Sequence, residues 1–412
     1  MQAVIIAAGE SSRFWPLNTA HKSASSLLGK PLAYWTVKGF VDNGIKDIAV
    51  VCSKGSVVPE LLKQENDLGV SLQFFTQQEP IGTGNALLQA KSFVKGEFFV
   101  SWPNKVVSKS LAKKMMEQKA KDKAQAVLAG AETKTPWDYG VARLDGNRIV
   151  EIVENPEQGK EPSSLKVTGF YLFEPDFFEY YEKLPQHHEA DFIEAINNYL
   201  KDKTGSLVTL EEDVPALKYP WELFLMQDIM FRSESFKSSI HKTATIEKNV
   251  VLAGDVAIGE NTVVRANTVI EGPCFIGRDC EIGYNNVLRG PINIEKNVKT
   301  GSFCEIKHSV IQEGTHVHSG YVGDSLVGKN CRIGAGFVSA NRRFDRKNIF
   351  VMVKGKKVDS GLTYLGTAIG DNTHIGIQSG TMPGVFIGSS CMVEPGTMLF
   401  KNAPNGSLVR KK

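Results

Sequence analysis

The stretch Ile246-Glu-Lys-Asn-Val-Val-Leu252-Ala-Gly-Asp-Val-Ala-Ile258-Gly-Glu-Asn-Thr-Val-Val264 carries an aliphatic residue at every sixth position. The same phase runs back to Ile240 and forward through Ile270, Ile276, Ile282, Leu288, Ile294, Thr300 and Ile306, all aliphatic except Thr300. It then shifts, resuming at Val327 and Ile333 and again at Ile369, Ile375, Thr381, Ile387, Val393 and Leu399. A period of six matches neither the 3.6 of a helix nor the 2 of a strand. It matches a triangular solenoid whose flat sides are short strands, each supplying one inward residue. Residues 240–412 are therefore expected to form a left-handed parallel β-helix of hexapeptide repeats. Glycine follows the aliphatic residue at Gly259, Gly277, Gly283, Gly328, Gly334, Gly370, Gly376 and Gly388, where a Cβ would crowd a tight corner. The run from about 341 to 366 breaks the period and is rich in Arg and Lys, including Arg342, Arg343, Lys356 and Lys357. It reads as an insert, either a solvated loop or a binder of anionic ligands.

Upstream the pattern is different. An apolar run, Gln2-Ala-Val-Ile-Ile-Ala-Ala8, meets a Gly/Ser turn, and a helical stretch follows Pro31. A second strand at Ile48–Val51 precedes a helical segment near Pro59–Leu68, and Pro220-Trp221-Glu222 opens a last helix. Strands alternating with helices predict an α/β, Rossmann-like domain over 1–232, with a parallel sheet covered on both faces and a linker at 233–239. Ligands of such sheets bind at the carboxyl ends of the strands, which directs attention to Gly9–Arg13.

The 412 residues exceed what one core usually serves. A net charge of +3 from 48 basic and 45 acidic residues gives no footprint for a nucleic-acid partner. Arg410, Lys411 and Lys412 read as a solvated tail. The apolar run at Ala3–Ala8 is too short for a signal or a membrane span, so a cytoplasmic protein with no membrane partner is expected. The six cysteines form no CxxC pair and are expected to be buried thiols.

Small residues after a strand, in Ala7-Ala8-Gly9-Glu10-Ser11-Ser12-Arg13, expose backbone N–H groups that can cradle phosphates. Together with Pro16-Leu17, Lys22, Gly29-Lys30-Pro31 and Gln77-Gln-Glu-Pro-Ile-Gly-Thr-Gly-Asn-Ala86, the domain resembles the sugar-1-phosphate nucleotidylyltransferases. That resemblance implies transfer of a nucleotidyl group from UTP to a sugar 1-phosphate, with Arg13 and Lys22 on the phosphates. It implies further that Ala8, Gly9, Gln77, Gly82 and Thr83 contact the nucleotide, and Gly140 and Glu154 the sugar. The chain departs from the family pattern at Ser11 (a second glycine), Asn155 (a lysine), Asn104 (a metal-binding aspartate) and about Ala216 (a second metal ligand). The carboxylates expected to hold Mg²⁺ are thus absent from the motif, and no metal ligand is assigned.

The segments around Arg289, Phe303-Cys-Glu-Ile-Lys307, Thr315-His-Val-His-Ser-Gly-Tyr-Val-Gly-Asp324 and Gly334-Ala-Gly336 resemble the acetyltransferase half of bifunctional enzymes that acetylate an amino-sugar 1-phosphate and attach UMP. The basic insert and Thr381-Met-Pro-Gly384 are closer to the archaeal-type branch. The resemblance implies acetyl-CoA as cosubstrate, with Ala335 beside it, and glucosamine 1-phosphate or galactosamine 1-phosphate as acceptor. His318 is the implied general base, and Arg289, Lys307 and Tyr321 the sugar-phosphate contacts. The interval from Lys307 to Tyr321 is one residue short, which leaves His316 as the alternative base. Arg332 stands where bacterial members have an asparagine. A homotrimer is implied. The competing reading is a non-catalytic, nucleotide-sugar-binding regulatory scaffold of the same architecture, suggested by the changes at Asn104, Asn155 and Ala216.

Overall fold

The computed structural model describes residues 1–65, 67–146 and 148–411. Lys412 of the basic tail lies outside the described residues. The chain divides into two compact units: Met1–Glu10 with Pro31–Ala216, and Ser11–Lys30 with Leu217–Lys412. Residues 11–30 and 217–232, which chain order assigns to the first domain, thus have their contacts in the second unit.

The first unit is built on nine strands: β1 (Gln2–Ala7), β2 (Asp47–Ser53), β3 (Leu72–Gln77), β4 (Phe98–Ser101), β5 (Ala126–Glu132), β6 (Gly140–Asp145), β7 (Arg148–Glu154), β8 (Leu165–Phe173) and β9 (Gly205–Leu210). They pair in the order β3-β2-β1-β4-β8-β5-β9-β7-β6. Alternation along β1 fills two cores. Val4, Ile6 and Ala8 pack with Ala86 and Leu87 on one face. Ala3, Ile5 and Ala7 pack with Tyr34, Val37, Phe40 and Leu111 on the other. From β3 to β4 the neighbours are parallel, as expected. Beyond β4 the parallel expectation fails, because β8 runs antiparallel to both β4 and β5. It follows the β6–β7 hairpin instead of a crossover helix, and only a long crossover returns a chain in the parallel sense.

The second unit is a left-handed parallel β-helix. Its inward residues stack coil on coil eighteen residues apart: Ile240, Ile258, Ile276 and Ile294 on one face, and Leu252, Ile270, Leu288 and Ile306 on another. Most are fully buried, and each such side chain contributes roughly 1.5–3 kcal/mol by leaving water. The phase shift after Ile306 is a shorter coil, with Ile306 opposite Val322, Ile311 opposite Val327 and Val317 opposite Ile333, sixteen residues on. One residue is lost at the corner that His308 turns, at φ +42°, and the second between Val317 and Gly320.

Corners elsewhere use Asn249, Asn261, Asn267, Asp279, Asn285 and Asn297, all at φ between +55° and +60°. Asn and Asp enter this left-handed region more readily than other side chains. The glycines answer a different need: a Cβ on Gly277 would lie 2.7 Å from the backbone nitrogen of Lys296 in the next coil. The insert forms a hairpin of Phe350–Val353 with Lys356–Asp359, and the coils resume beyond it with Val327 opposite Ile369.

Segment 11–30 is fastened to the β-helix by specific hydrogen bonds. Trp15 Nε1 donates to Asn405 Oδ1 (2.9 Å), and Thr19 is bonded to Asp371. Ser26 and Gln312 bond reciprocally (3.1 and 2.9 Å). The amides of Leu28 and Gly29 donate to Asn293 Oδ1 (2.8 Å) and Glu295 Oε1 (3.2 Å). All six cysteines are buried free thiols. No helix among the described residues is long and apolar enough to cross a membrane.

Candidate functional site

Three neighbouring positions of the β-helix bring together the residues singled out for the sugar phosphate. Arg289 and Lys307 are partners in adjacent coils, and Lys307 is in turn opposite Gly323, two positions beyond Tyr321. Parallel pairing thus places Arg289 and Lys307 on one face about 4.8 Å apart. Arg289 is hydrogen-bonded to Glu305, while its buried Nε has no partner among the described residues.

At the centre of this group is a residue the motif reading quoted without giving it a role. The side chain of Asp324 is only 3% exposed. Its Oδ2 accepts from Lys307 Nζ (3.2 Å) and Asn341 Nδ2 (2.5 Å), and its Oδ1 lies 2.9 Å from His308 Nδ1. Asn341 Nδ2 also lies 2.9 Å from the Tyr321 hydroxyl. Burial pushes the Asp324 carboxyl up, but the His308 hydrogen bond, the Lys307 charge and Asn341 outweigh it and hold the group below the usual carboxylate range. On its other side the His308 ring packs 4.8 Å from Phe224 of the helix Glu222–Arg232. The coil length was the available signal: counting back sixteen residues from Asp324 lands on His308.

His318 follows the strand His316–Val317 at a corner. Its imidazole is exposed and makes no hydrogen bond or ion pair among the described residues, while its backbone N–H donates to Ile333 O (2.9 Å). With His316, Lys299, Arg332, His374 and Gly334 it lines a groove of about 700 Å³. His316 sits in register between Lys299 and Arg332. Burial and then these two cations lower its pKa. Arg289, Lys307 and Tyr321 are not among the residues lining this groove. Ala335 is half-buried at the next corner, its carbonyl accepting from Gln378 N (2.7 Å).

In the first unit, Ala8 and Gly9 follow β1 directly, and a Cβ on Gly9 would meet nothing within 4 Å. Gln77, at the end of β3, is buried and donates through Nε2 to Gly82 O and Asn85 Oδ1, both at 3.0 Å. Gly82 adopts φ +102°, and Thr83 opens the helix Thr83–Gln89. Gly140 and Glu154 are register partners. Asn104 is 1% exposed, and neither its Oδ1 nor its Nδ2 has a hydrogen-bond partner among the described residues. A hard divalent cation wants carboxylate oxygens. Asn104 presents a neutral amide oxygen, which brings no negative charge to a cation.

Arg13 and Lys22 belong to the second unit. Arg13 is exposed in the turn Ser12–Phe14. Lys22 is half-buried, and its backbone N–H donates to Ser11 Oγ (3.0 Å), which gives a structural use to the serine that replaces the family's second glycine. Burial lowers the Lys22 ammonium to about 8, against the opposing pull of Glu222.

A nucleotidyl transferase family model matches residues 2–215, a bacterial transferase hexapeptide model (six repeats) matches 237–272, and a model for the hexapeptide repeat of succinyl-transferase matches 366–401. The chain is 32% identical over 422 residues to the bifunctional protein GlmU of Methanocaldococcus jannaschii, covering all of this chain and 98% of the relative. It is 33% identical over 423 residues to the bifunctional sugar-1-phosphate nucleotidylyltransferase/acetyltransferase of Sulfurisphaera tokodaii, covering both chains completely. A UDP-glucose pyrophosphorylase structure from Acinetobacter baumanii covers 57% of this chain and 94% of its own at 20% identity and a TM-score of 0.50, a likeness of fold alone.

Proposed function

The chain belongs to the family of bifunctional sugar-1-phosphate nucleotidylyltransferases/acetyltransferases, and we propose that it acetylates an amino-sugar 1-phosphate in the β-helix and transfers UMP from UTP to a sugar 1-phosphate with its N-terminal residues. The observation that carries the acetyl-transfer reading is an exposed, unbonded imidazole three residues before Tyr321, on the coil that pairs with Lys307. Three residues reach at most roughly 10 Å, and the chain turns a corner between His318 and Tyr321. A hexosamine 1-phosphate would lie across that distance with its phosphate on Arg289, Lys307 and Tyr321 and its 2-amino group toward His318. Binding energy from the non-reacting phosphate then orients the nucleophile.

The acceptor's ammonium group must give up a proton before nitrogen can attack the thioester carbonyl of acetyl-CoA. The ammonium proton passes to solvent, and His318 takes the second proton, released as the C–N bond forms, and returns it to the departing thiolate. Collapse of the tetrahedral intermediate breaks the C–S bond, and the thiolate leaves and is protonated. The N–H of Ala335 is the donor proposed for the oxyanion. Acetyl-CoA is proposed to run along the groove lined by His316, His318 and Arg332, with a second copy of the chain in a homotrimer forming its other wall.

For UMP transfer, Arg13 and Lys22 are the cations proposed for the triphosphate. Ala8, Gly9, Gln77, Gly82 and Thr83 are assigned to the nucleotide, and Gly140 and Glu154 to the sugar. The catalytic reading is preferred to the non-catalytic one because the Sulfurisphaera tokodaii relative, matched over its full length, carries the name of a nucleotidylyltransferase/acetyltransferase.

The test measures the two reactions separately on the purified chain. Thiol release from acetyl-CoA is followed with glucosamine 1-phosphate and with galactosamine 1-phosphate, and pyrophosphate release with UTP and a sugar 1-phosphate. No thiol release with either amino sugar would refute the acetyl-transfer assignment.

A further inference from the structure

The insert is anchored to the Asp324 group at both of its ends. At its start, Asn341 bonds Asp324 and Tyr321, and at its end the Gly366 N–H donates to the Asp324 carbonyl (2.8 Å). This attachment places Tyr364 and Arg342 beside the clamp. Lys307 Nζ lies 4.5 Å from the centroid of the Tyr364 ring, and the Arg342 guanidinium carbon lies 4.6 Å from the same centroid. Two cations on one ring repel each other, and each is drawn to the ring by its quadrupole.

The neighbouring arginines are used differently. Arg343 is held by Asp345 through two short hydrogen bonds (2.7 and 2.5 Å). Arg289 has Glu305, and Lys307 has Asp324. Arg342 is exposed and has no carboxylate partner among the described residues, although its position is fixed by an aromatic ring shared with Lys307. A guanidinium is a planar fork matched to phosphate oxygens, and a stacked one loses less freedom on binding.

We propose that Arg342, seated on Tyr364, is a further phosphate-binding residue of the amino-sugar site. The insert is then part of the acceptor site and not a passive loop. The proposal rests on the acetyl-transfer reading above, and it names the insert's contribution to that same site.

The experiment compares full-length variants in the thiol-release assay and, without acetyl-CoA present, by calorimetric titration with glucosamine 1-phosphate. Arg342→Ala is expected to raise KM for the acceptor and weaken its binding about tenfold, as loss of one charge-assisted hydrogen bond does, with KM for acetyl-CoA unchanged. Tyr364→Ala is expected to behave like Arg342→Ala, and Tyr364→Phe, which keeps the ring, like wild type. Arg342→Lys is expected to recover part of the affinity. Arg343→Ala is the control for a general loss of positive charge and is expected to leave both readouts alone. Unchanged acceptor affinity in Arg342→Ala, or an equal loss in Arg343→Ala, would overturn the proposal. A wild-type chain that binds glucosamine 1-phosphate and transfers no acetyl group would overturn the acetyl-transfer reading alone. The titration with Arg342→Ala would still decide the role of Arg342.

Discussion

Replacing Asp324 with asparagine keeps the size of the side chain and removes its charge. In the wild type one oxygen receives Lys307 and Asn341, and the other faces His308 Nδ1. Asparagine has a single oxygen: with its NH2 toward Lys307 and Asn341 donor meets donor, and with its NH2 toward His308 the charge is still lost and the ring must present an unprotonated Nδ1. A hydrogen bond to a charged group contributes roughly 1.5–3 kcal/mol, and removing one member of a buried ion pair costs roughly 3–5 kcal/mol. Asp324 is buried, but the Lys307 side chain is 27% exposed and can recover some hydration. The lower end applies, about 3 kcal/mol.

A two-unit chain need not unfold in one step, so the loss is best read locally, by hydrogen exchange at the Asp324 amide, which donates to Lys307 O at 2.8 Å. The same variant should raise KM for the amino-sugar phosphate without moving KM for acetyl-CoA, because Lys307 loses its anchor. The pH dependence has a definite sign. The Asp324 carboxyl is held below its ordinary value in the folded chain. Its stabilisation is therefore complete above the unfolded value of about 4 and lost as pH falls through the folded one. Wild type and variant should converge in acid and differ at neutral pH. Equal exchange protection and equal KM at pH 7 would refute the reasoning.

His318→Ala should lower acetyl transfer by about 100-fold or more and leave folding intact, since the imidazole makes no hydrogen bond or ion pair among the described residues; a larger loss in His316→Ala would make His316 the base. Gly301→Ala should displace the His318 backbone, because the new Cβ would lie 2.1 Å from His318 O; comparing thiol release with pyrophosphate release in this variant will show whether the damage is confined to the acetyl site. Glu295 is buried beneath the Gly29 amide, and burial pushes its carboxyl up to about 7, against the Asn293 and Gly29 hydrogen bonds. A raised acid makes the folded state bind the extra proton, so stability should fall by about 3 kcal/mol as pH rises from ~4.5 to ~7; urea titrations across that range should lose this slope in Glu295→Gln.

The coils were legible because an inward aliphatic every sixth residue is a requirement each strand repeats. The loss of phase after Ile306 was visible too, but its cause was not. A shortened coil and an insert both interrupt a period, and only the pairing of Ile306 with Val322 distinguishes them. That ambiguity also hid Asp324, whose partners Lys307, His308 and Asn341 lie far along the chain and meet it only once the short coil is formed. Arg289 and Lys307 were named by the family resemblance, and their eighteen-residue interval agrees with the face they share. The attachment of residues 11–30 left no trace in the sequence. It uses single amides and side chains such as Trp15, Ser26 and Leu28, and isolated polar contacts have no period. The antiparallel β8 is a different case, because its signal was present: Asp145-Gly146-Asn147 between two apolar runs is a hairpin signature, and a hairpin before a strand reverses it.

The excursion of Ser11–Lys30 has a consequence for anyone who would take the protein apart. The chain passes from one compact unit to the other after Glu10, again after Lys30 and a third time after Ala216. No single scission, by protease or by genetic engineering, can release both units whole. A fragment ending near residue 232 would keep Arg13 and Lys22 and lose Asn293, Glu295, Gln312 and Asn405, the groups that hold their segment in place. Recombining halves between relatives would thus have to exchange two stretches of sequence together, and a swap at one junction would pair a loop with a scaffold it was never selected to fit.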